Sequence, residues 1–488
     1  MKNILKYTLI AISFLVSSCQ SWIEITPTDR LTEDMVFSNK EGFKKALNGV
    51  YIELNSTTVY GQNMSAGMID VLAQYYNLTS EQHPLYYYFK YTYTQANVKS
   101  GFDLIWQKTY KLISNCNIII EKCGDSNPLL PEPYFGMIKG EALALRAMLH
   151  LDMLRLFGPI YSTGSAKTCI PYMTIANQEV QPLLTAEKVM DNILKDLNDA
   201  IALLETSDPV ITNGVRNYAD QSGNNDMNYR QYRLNYFAVK ALLARAYLWK
   251  GDKVNALSIS EEILSQTQIT GSEIFPFVTN ANATNSTAPD RVFSTEVLFS
   301  LYYVNRKTLQ TNLFDPNLDP TTAILTAYGT LTTGRVNEMY DDKNDYRYNA
   351  WANYNKNGSN ILYLRKYEDM TGSTTTNAWR YMIPLIRLSE VYFIAAECTD
   401  DLTLATQYLN KIRTGRNCFS VAPATRDALM TFLSAEYRRE MIGEGQLFFF
   451  YKRLAMANIP NGIKATGNMN ISLDNYVVPL PTSEISMR

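Results

Sequence analysis

Histidine is almost missing from this sequence. Only His83 and His150 occur among 488 residues, too few and too far apart for a histidine-based metal site or a His-centred catalytic triad. Charge is sparse as well. Charged residues make up 19% of the chain and the formal net charge is -2, so no basic field exists to attract nucleic acid. Cysteine is limited to 6, and none of the spacings makes a CxxC metal or redox motif. Tryptophan numbers only 5.

What takes the place of these residues is tyrosine: 34 Tyr stand against 19 Phe. Tyrosine joins an apolar face to a polar tip, which suits wet, ring-stacking surfaces, although a Tyr-rich helical core has the same composition and accounts for most of these residues. A hydrophobic fraction of 46% over this length supports a large core, and length alone suggests two to four domains. His83 precedes Pro84 in a loop. His150 falls inside a buried helix and reads as a hydrogen-bonded core histidine.

At the amino terminus Lys2 and Lys6 supply a positive start, residues 4–16 an apolar run, and Val16, Ser17 and Ser18 then abut Cys19. This is the pattern of a lipoprotein signal peptide at residues 1–18, its apolar run too short to span a bilayer as a mature helix. Acylation of Cys19 would attach several acyl chains, enough for stable anchoring. In an oxidising compartment the remaining Cys116, Cys123, Cys169, Cys398 and Cys418 cannot all pair internally. Cys116 and Cys123, seven apart on one helix, stand about 10 Å apart along its axis, too far for a disulfide, and read as small buried hydrophobes.

Residues 140–159, GEALALRAMLHLDMLRLFGP, are apolar nearly all round, so this helix must be buried. Gly158 and Pro159 end it, the glycine through a left-handed cap. Residues 22–30 read as an extended lead. Ser38 and Glu41 form a capping box for a helix carrying Phe43, Leu47, Val50 and Leu54. Periodicity dissolves over residues 55–100, and a long helix follows from Phe102 through Ile120. Thr185 caps a helix bearing Val189, Ile193, Leu197, Ala200 and Leu204, and a polar Asn- and Gly-rich loop spans 207–232. Two helices then turn on Gly251, over 235–250 and 252–265, as a tetratricopeptide-type pair, and a second such pair lies at 387–398 and 402–413. Residues 271–379 differ, with β character only at 297–304 and 361–366; so long an excursion from a helical frame carries function. In the last helix, 427–441, Glu436, Arg438, Arg439 and Glu440 form a salt-linked network, and Gly443 and Gly445 break it.

Several blocks in this order resemble the SusD/RagB family of surface nutrient-binding lipoproteins. They are ITPTDRL at 25–31, ALNGVY at 46–51, GEALALRA, RLNYFAVKALLARAYLWKGD, IRLSEVYFIAAE at 386–397, LNKIR at 409–413, AEYRREMIGEG at 435–445 and VVPLPTSEI at 477–485. The chain departs from the family where Glu436-Tyr437-Arg438-Arg439 and Leu447-Phe448-Phe449 replace more typical strings. The resemblance implies a mainly α, tetratricopeptide-like scaffold, one SusD-like domain over residues 19–488 with irregular ligand-facing insertions at about 55–100 and 271–379 and minor β. It implies a lipid-anchored protein exposed at the outer membrane that binds an oligosaccharide, or in some members a peptide, for a SusC-type TonB-dependent transporter. No chemistry, cofactor or metal is implied. A surface-anchored glycoside hydrolase would need two facing carboxylates, and a periplasm-facing repeat scaffold would need only protein partners.

The family tends to build its pocket from an early loop and one past mid-chain. That choice selects Tyr75, Tyr76 and Tyr86 from the first region and Trp351 and Tyr354 from the second as stacking residues, with Arg347 as an edge donor.

Overall fold

The computed structural model describes residues 32–488 except 178, 270, 271, 371 and 375. The signal sequence, Cys19 and the Pro-Thr lead lie outside the described residues. Among the described residues nine helices run eleven residues or more: α1 Lys40–Leu54, α2 Ala96–Cys123, α3 Tyr134–Phe157, α4 Ala186–Ser207, α5 Tyr236–Lys250, α6 Lys253–Gln266, α7 Leu388–Cys398, α8 Leu402–Gly415 and α9 Arg426–Glu440. From α2 to α9 each packs on the next, the arrangement of a helical solenoid. Among the described residues four strands run six residues: β1 Val297–Tyr302, β2 Trp351–Lys356 and β3 Ser359–Leu364 within the long excursion, and β4 Met382–Arg387 just past it.

Helix α3 is buried between α2 and α4 almost from end to end. Small residues let the neighbours close in. A Cβ on Gly140 would meet Leu204 of α4 at 2.9 Å, and one on Gly136 would meet Ser207 at 2.5 Å. Fully buried Leu145 and Leu149 each stabilise the stack by about 1.5–3 kcal/mol. The polar groups on α3 are all matched across interfaces. Arg146 grips Asp196 of α4 through two bonds of 2.7 Å and reaches Asn117 of α2 at 2.9 Å. His150 is the expected core histidine: Nε2 accepts from the Met173 N–H at 3.0 Å, so Nδ1 donates to the Arg146 carbonyl at 2.9 Å. Burial pushes its pKa down to about 3, leaving it neutral.

The helix stop differs from expectation. Gly158 is extended, with φ -74° and ψ 169°, so its use is close approach: a Cβ would lie 2.4 Å from the Leu154 carbonyl oxygen. Lys452 closes the end by donating from Nζ to the carbonyls of Leu156 and Gly158 at 3.2 and 2.7 Å. The cap of α1 is also corrected. Asn39 accepts from Gly42 N at 3.1 Å, while Ser38 turns away to the Met35 carbonyl. Gly251 does take the left-handed conformation at the α5–α6 corner, φ 87°. Helix α2 begins at Ala96, six residues ahead of its apolar periodicity, because Val98 already reaches the core.

The β character seen in the sequence marks β1 and β3 but not β2 or β4. The hairpin β2–β3 pairs Trp351 with Leu364 and Lys356 with Ser359, closed by Asn357-Gly358 with both φ positive, 52° and 84°, the requirement of a type I′ turn. Strands β1 and β4 pair antiparallel, Tyr302 opposite Met382.

The mixed charges of α9 form the expected network and extend well beyond the helix. Glu440 is shared by Arg347, Arg387 and Arg416; Glu436 by Arg347, Arg413 and Arg439; Glu296 joins Arg387 to Arg416. Burial pushes the Glu440 carboxyl up, but Arg416, Arg387 and Arg347 outweigh it and hold it well below the usual carboxylate range. Beside the network, Asp70 accepts from Gly443 N and Gly445 N at 2.5 and 3.0 Å, so the glycine break of α9 is clasped by the early loop region. Cys116, Cys123, Cys169, Cys398 and Cys418 are free and buried, and burial pushes the Cys116 thiol up to about 12.

Candidate ligand-binding site

A cavity of about 810 Å³ opens where α1, the first turns of α3, the loop 214–233 and the ends of β1 and β4 converge. Helix α1 supplies Lys44 and Asn48, α3 supplies Tyr134 and Glu141, and the loop supplies Asn217, Tyr218, Asn228, Tyr229, Tyr232 and Arg233. Its volume suits an organic ligand of several rings.

The loop is built, not slack. Tyr229 N and Arg230 N donate to the carbonyls of Arg216 and Val215, both at 3.0 Å, zipping its base. Asn225 accepts from Asp220 N at 2.8 Å, and Asn228 donates to the Tyr218 carbonyl at 2.9 Å. Arg216 and Tyr229 take positive φ values of 45° and 57°, an uncommon conformation for such residues and one that concentrates at functional sites.

Across the cavity, antiparallel pairing of β1 with β4 sets Tyr302 beside Tyr381, and Tyr303 N donates to the Tyr381 carbonyl at 2.8 Å. Four rings then follow one another: Tyr229 to Tyr232 at 6.4 Å, Tyr232 to Tyr302 at 5.1 Å and Tyr302 to Tyr381 at 5.3 Å between centroids. Tyr302 is 48% exposed and Tyr218 59%, so ring faces are available to a ligand. Rings of this kind stack on C–H faces, and the amides of Asn48, Asn217 and Asn228 supply donors and acceptors for hydroxyls at the rim.

The two lining carboxylates are already held. Glu141 meets Arg230 at 2.9 Å and accepts from Tyr51 at 2.8 Å; Asp226 meets Lys44 at 2.6 Å and accepts from Tyr134 at 3.1 Å. Burial works against the Arg230 charge, but Asp208 and Glu141 outweigh it and raise its pKa. The site therefore offers rings to stack on and amides to hydrogen-bond, with both of its lining carboxylates ion-paired.

None of the six residues selected from the sequence lines this cavity. Four require correction, because a buried side chain offers no face or edge to a ligand. Tyr75 is 2% exposed and donates to the Arg438 carbonyl at 2.6 Å, and Tyr76, fully buried, packs on Phe314 at 5.9 Å. Trp351 is buried at the start of β2. Arg347 sits in the charge network with Asp345, Glu436 and Glu440 at 2.6, 2.8 and 2.9 Å. Tyr86 remains half-buried against Tyr87, and Tyr354 is exposed with its hydroxyl 3.4 Å from Asn317. The signal that pointed to the cavity was the Tyr- and Asn-bearing loop over 207–232, seen in the sequence but not read as a site.

The molecule is thus of a definite class, a helical-repeat scaffold with an aromatic, amide-rimmed cavity between two of its helices, the loop 214–233 and the strand ends. Two family profiles match it: the SusD family over residues 215–486, and a SusD-like family described as starch-binding and associating with the outer membrane over residues 22–213. The chain belongs to the SusD family, a family of carbohydrate-binding proteins associated with the outer membrane. It is 22% identical to SusD-like protein P38 of Formosa agariphila, across 98% of this chain and 96% of that one. Its fold is similar to a SusD superfamily protein from Bacteroides thetaiotaomicron, with TM-score 0.69 at 22% identity, covering 92% of this chain and 98% of that one. It is also similar to a SusD-like carbohydrate binding protein from Bacteroides vulgatus, with TM-score 0.67 at 18% identity, covering 92% and 96%.

Proposed function

We propose that this protein captures an oligosaccharide in the cavity beside Tyr302 and hands it to a SusC-type TonB-dependent transporter, while held at the cell surface by a lipid on Cys19. The observation that carries the reading is the run of Tyr229, Tyr232, Tyr302 and Tyr381 facing an amide rim. Stacking faces and rim amides are what a sugar needs. A glycan array followed by calorimetry tests it. Saturable binding of at least one oligosaccharide, weakened by Tyr302→Ala, is expected; absence of binding to any glycan would refute it.

Binding without chemistry is favoured over hydrolysis by the pairing of Glu141 and Asp226 with cations, since a hydrolase needs one carboxyl free to give up a proton. An unchanged labelled oligosaccharide after prolonged incubation is the expected outcome. The solenoid of α2 to α9 offers a rigid, extended face for the transporter. Co-purification of a large β-barrel protein in mild detergent is expected, and recovery of the lipoprotein alone at native expression would count against it. Tyr86 and Tyr354, whose rings remain accessible, are proposed as contacts at the outer surface for the same ligand.

A further inference from the structure

The cations of the cavity are not equivalent. Lys44 is matched to Asp226 and Arg230 to both Glu141 and Asp208, whereas no ion pair among the described residues includes Arg233. Its guanidinium lies over the Tyr51 ring at 4.5 Å and one arm donates from Nη2 to Asn48 Oδ1. The other arm, Nη1, is buried without a hydrogen-bond partner, as is the Asn217 Oδ1 acceptor in the same wall. A partly buried guanidinium without an anion carries an uncompensated desolvation cost. Stacking and the Asn48 contact hold the guanidinium plane fixed in the cavity wall with its charge unmatched. A neutral sugar hydroxyl leaves that charge unmatched; an anionic group in the cavity compensates it.

We infer that the cavity selects anionic oligosaccharides, whose carboxylate or sulfate ester pairs with Arg233 while the rings lie along the tyrosines. This rests on the reading of the cavity as a glycan site and names the class of glycan. The full-length protein in detergent is to be screened on an array holding neutral, uronic-acid and sulfated oligosaccharides, and the hits titrated by calorimetry. Acidic glycans should bind at least about tenfold more tightly than neutral ones of equal length, and raising the salt should narrow the gap. Whether uronates or sulfates lead distinguishes the two sources of the oxyanion.

Arg233→Gln should remove most of the preference for acidic over neutral glycans. Arg233→Lys, which keeps the charge and loses the fork, should retain part of it; this second variant keeps the test open if the glutamine variant folds poorly. Neutral glycans bound as tightly as acidic ones, or a preference that survives Arg233→Gln, would overturn the charge assignment and leave the glycan-binding reading standing. Binding to no glycan on the array would overturn both.

Discussion

Replacing Tyr302 by alanine is the most informative single perturbation of the cavity, because this ring touches both Tyr232 and Tyr381 and is still 48% exposed. A tyrosine side chain buries roughly 200 Å² when fully covered, so about 100 Å² remains for a ligand to cover. At about 25 cal/mol per Å² that area is worth about 2.5 kcal/mol. A sugar ring covers one face rather than the whole, so a loss of about 2 kcal/mol, roughly 30-fold in affinity, is expected. The fold should survive. Two ring contacts of about 0.5–1.5 kcal/mol each, one edge-on and one tilted, are lost from a half-exposed site, and the backbone pairing of β1 with β4 is untouched. Calorimetry with the best glycan from the array, beside a urea melt of the same preparation, separates the two effects. Unchanged affinity for Tyr302→Ala and for Tyr229→Ala, in folded protein, would refute the stacking argument.

Other outcomes follow from the packing. Glu440→Gln should lower the unfolding free energy by about 3–5 kcal/mol, since Arg347, Arg387 and Arg416 then lose a shared buried partner; a urea midpoint equal to wild type would contradict this. Because Glu440 is held well below its ordinary pKa, its contribution is present above the unfolded carboxylate pKa and is lost as pH falls through the folded value, so the variant should have a flatter acid limb. Burial lowers Lys452 from 10.5 to about 7. Between about pH 7 and 10 the unfolded chain holds a proton that the folded chain has released, so stability should rise with pH across that window, and Lys452→Met should lack the rise. Cys19→Ala should move the protein to the soluble fraction, and retention on membranes after a high-salt wash would rule out anchoring through that thiol.

The helical frame was legible because periodicity and caps are local. The apolar circumference of α3, the Thr185 cap and the left-handed Gly251 corner can each be read from a few neighbouring residues. The charge network was legible in kind from Glu436, Arg438, Arg439 and Glu440, but its reach to Glu296, Arg347 and Arg387 depends on contacts across 53 to 93 residues of separation that no local pattern encodes. The burial of Tyr75, Tyr76, Trp351 and Arg347 was missed for the same reason. Tyr75 and Tyr76 carry the same side chain as Tyr302, yet the clasp of Asp70 on the glycines after α9 turns that segment inward. The rings that meet around the cavity come from positions 229, 232, 302 and 381, joined by β1–β4 pairing, by the zipped base of the loop and by Gln231 and Asn235 donating to the Val297 and Leu298 carbonyls of β1.

The central claim is that the ligand lies along the four tyrosines, and a crystal structure with the highest-affinity oligosaccharide bound tests it most directly. The account predicts sugar rings over Tyr302 and its neighbours, with rim contacts to Asn48 or Asn228. An oligosaccharide seated instead over Tyr86 and Tyr354, with the cavity filled only by solvent, would contradict it.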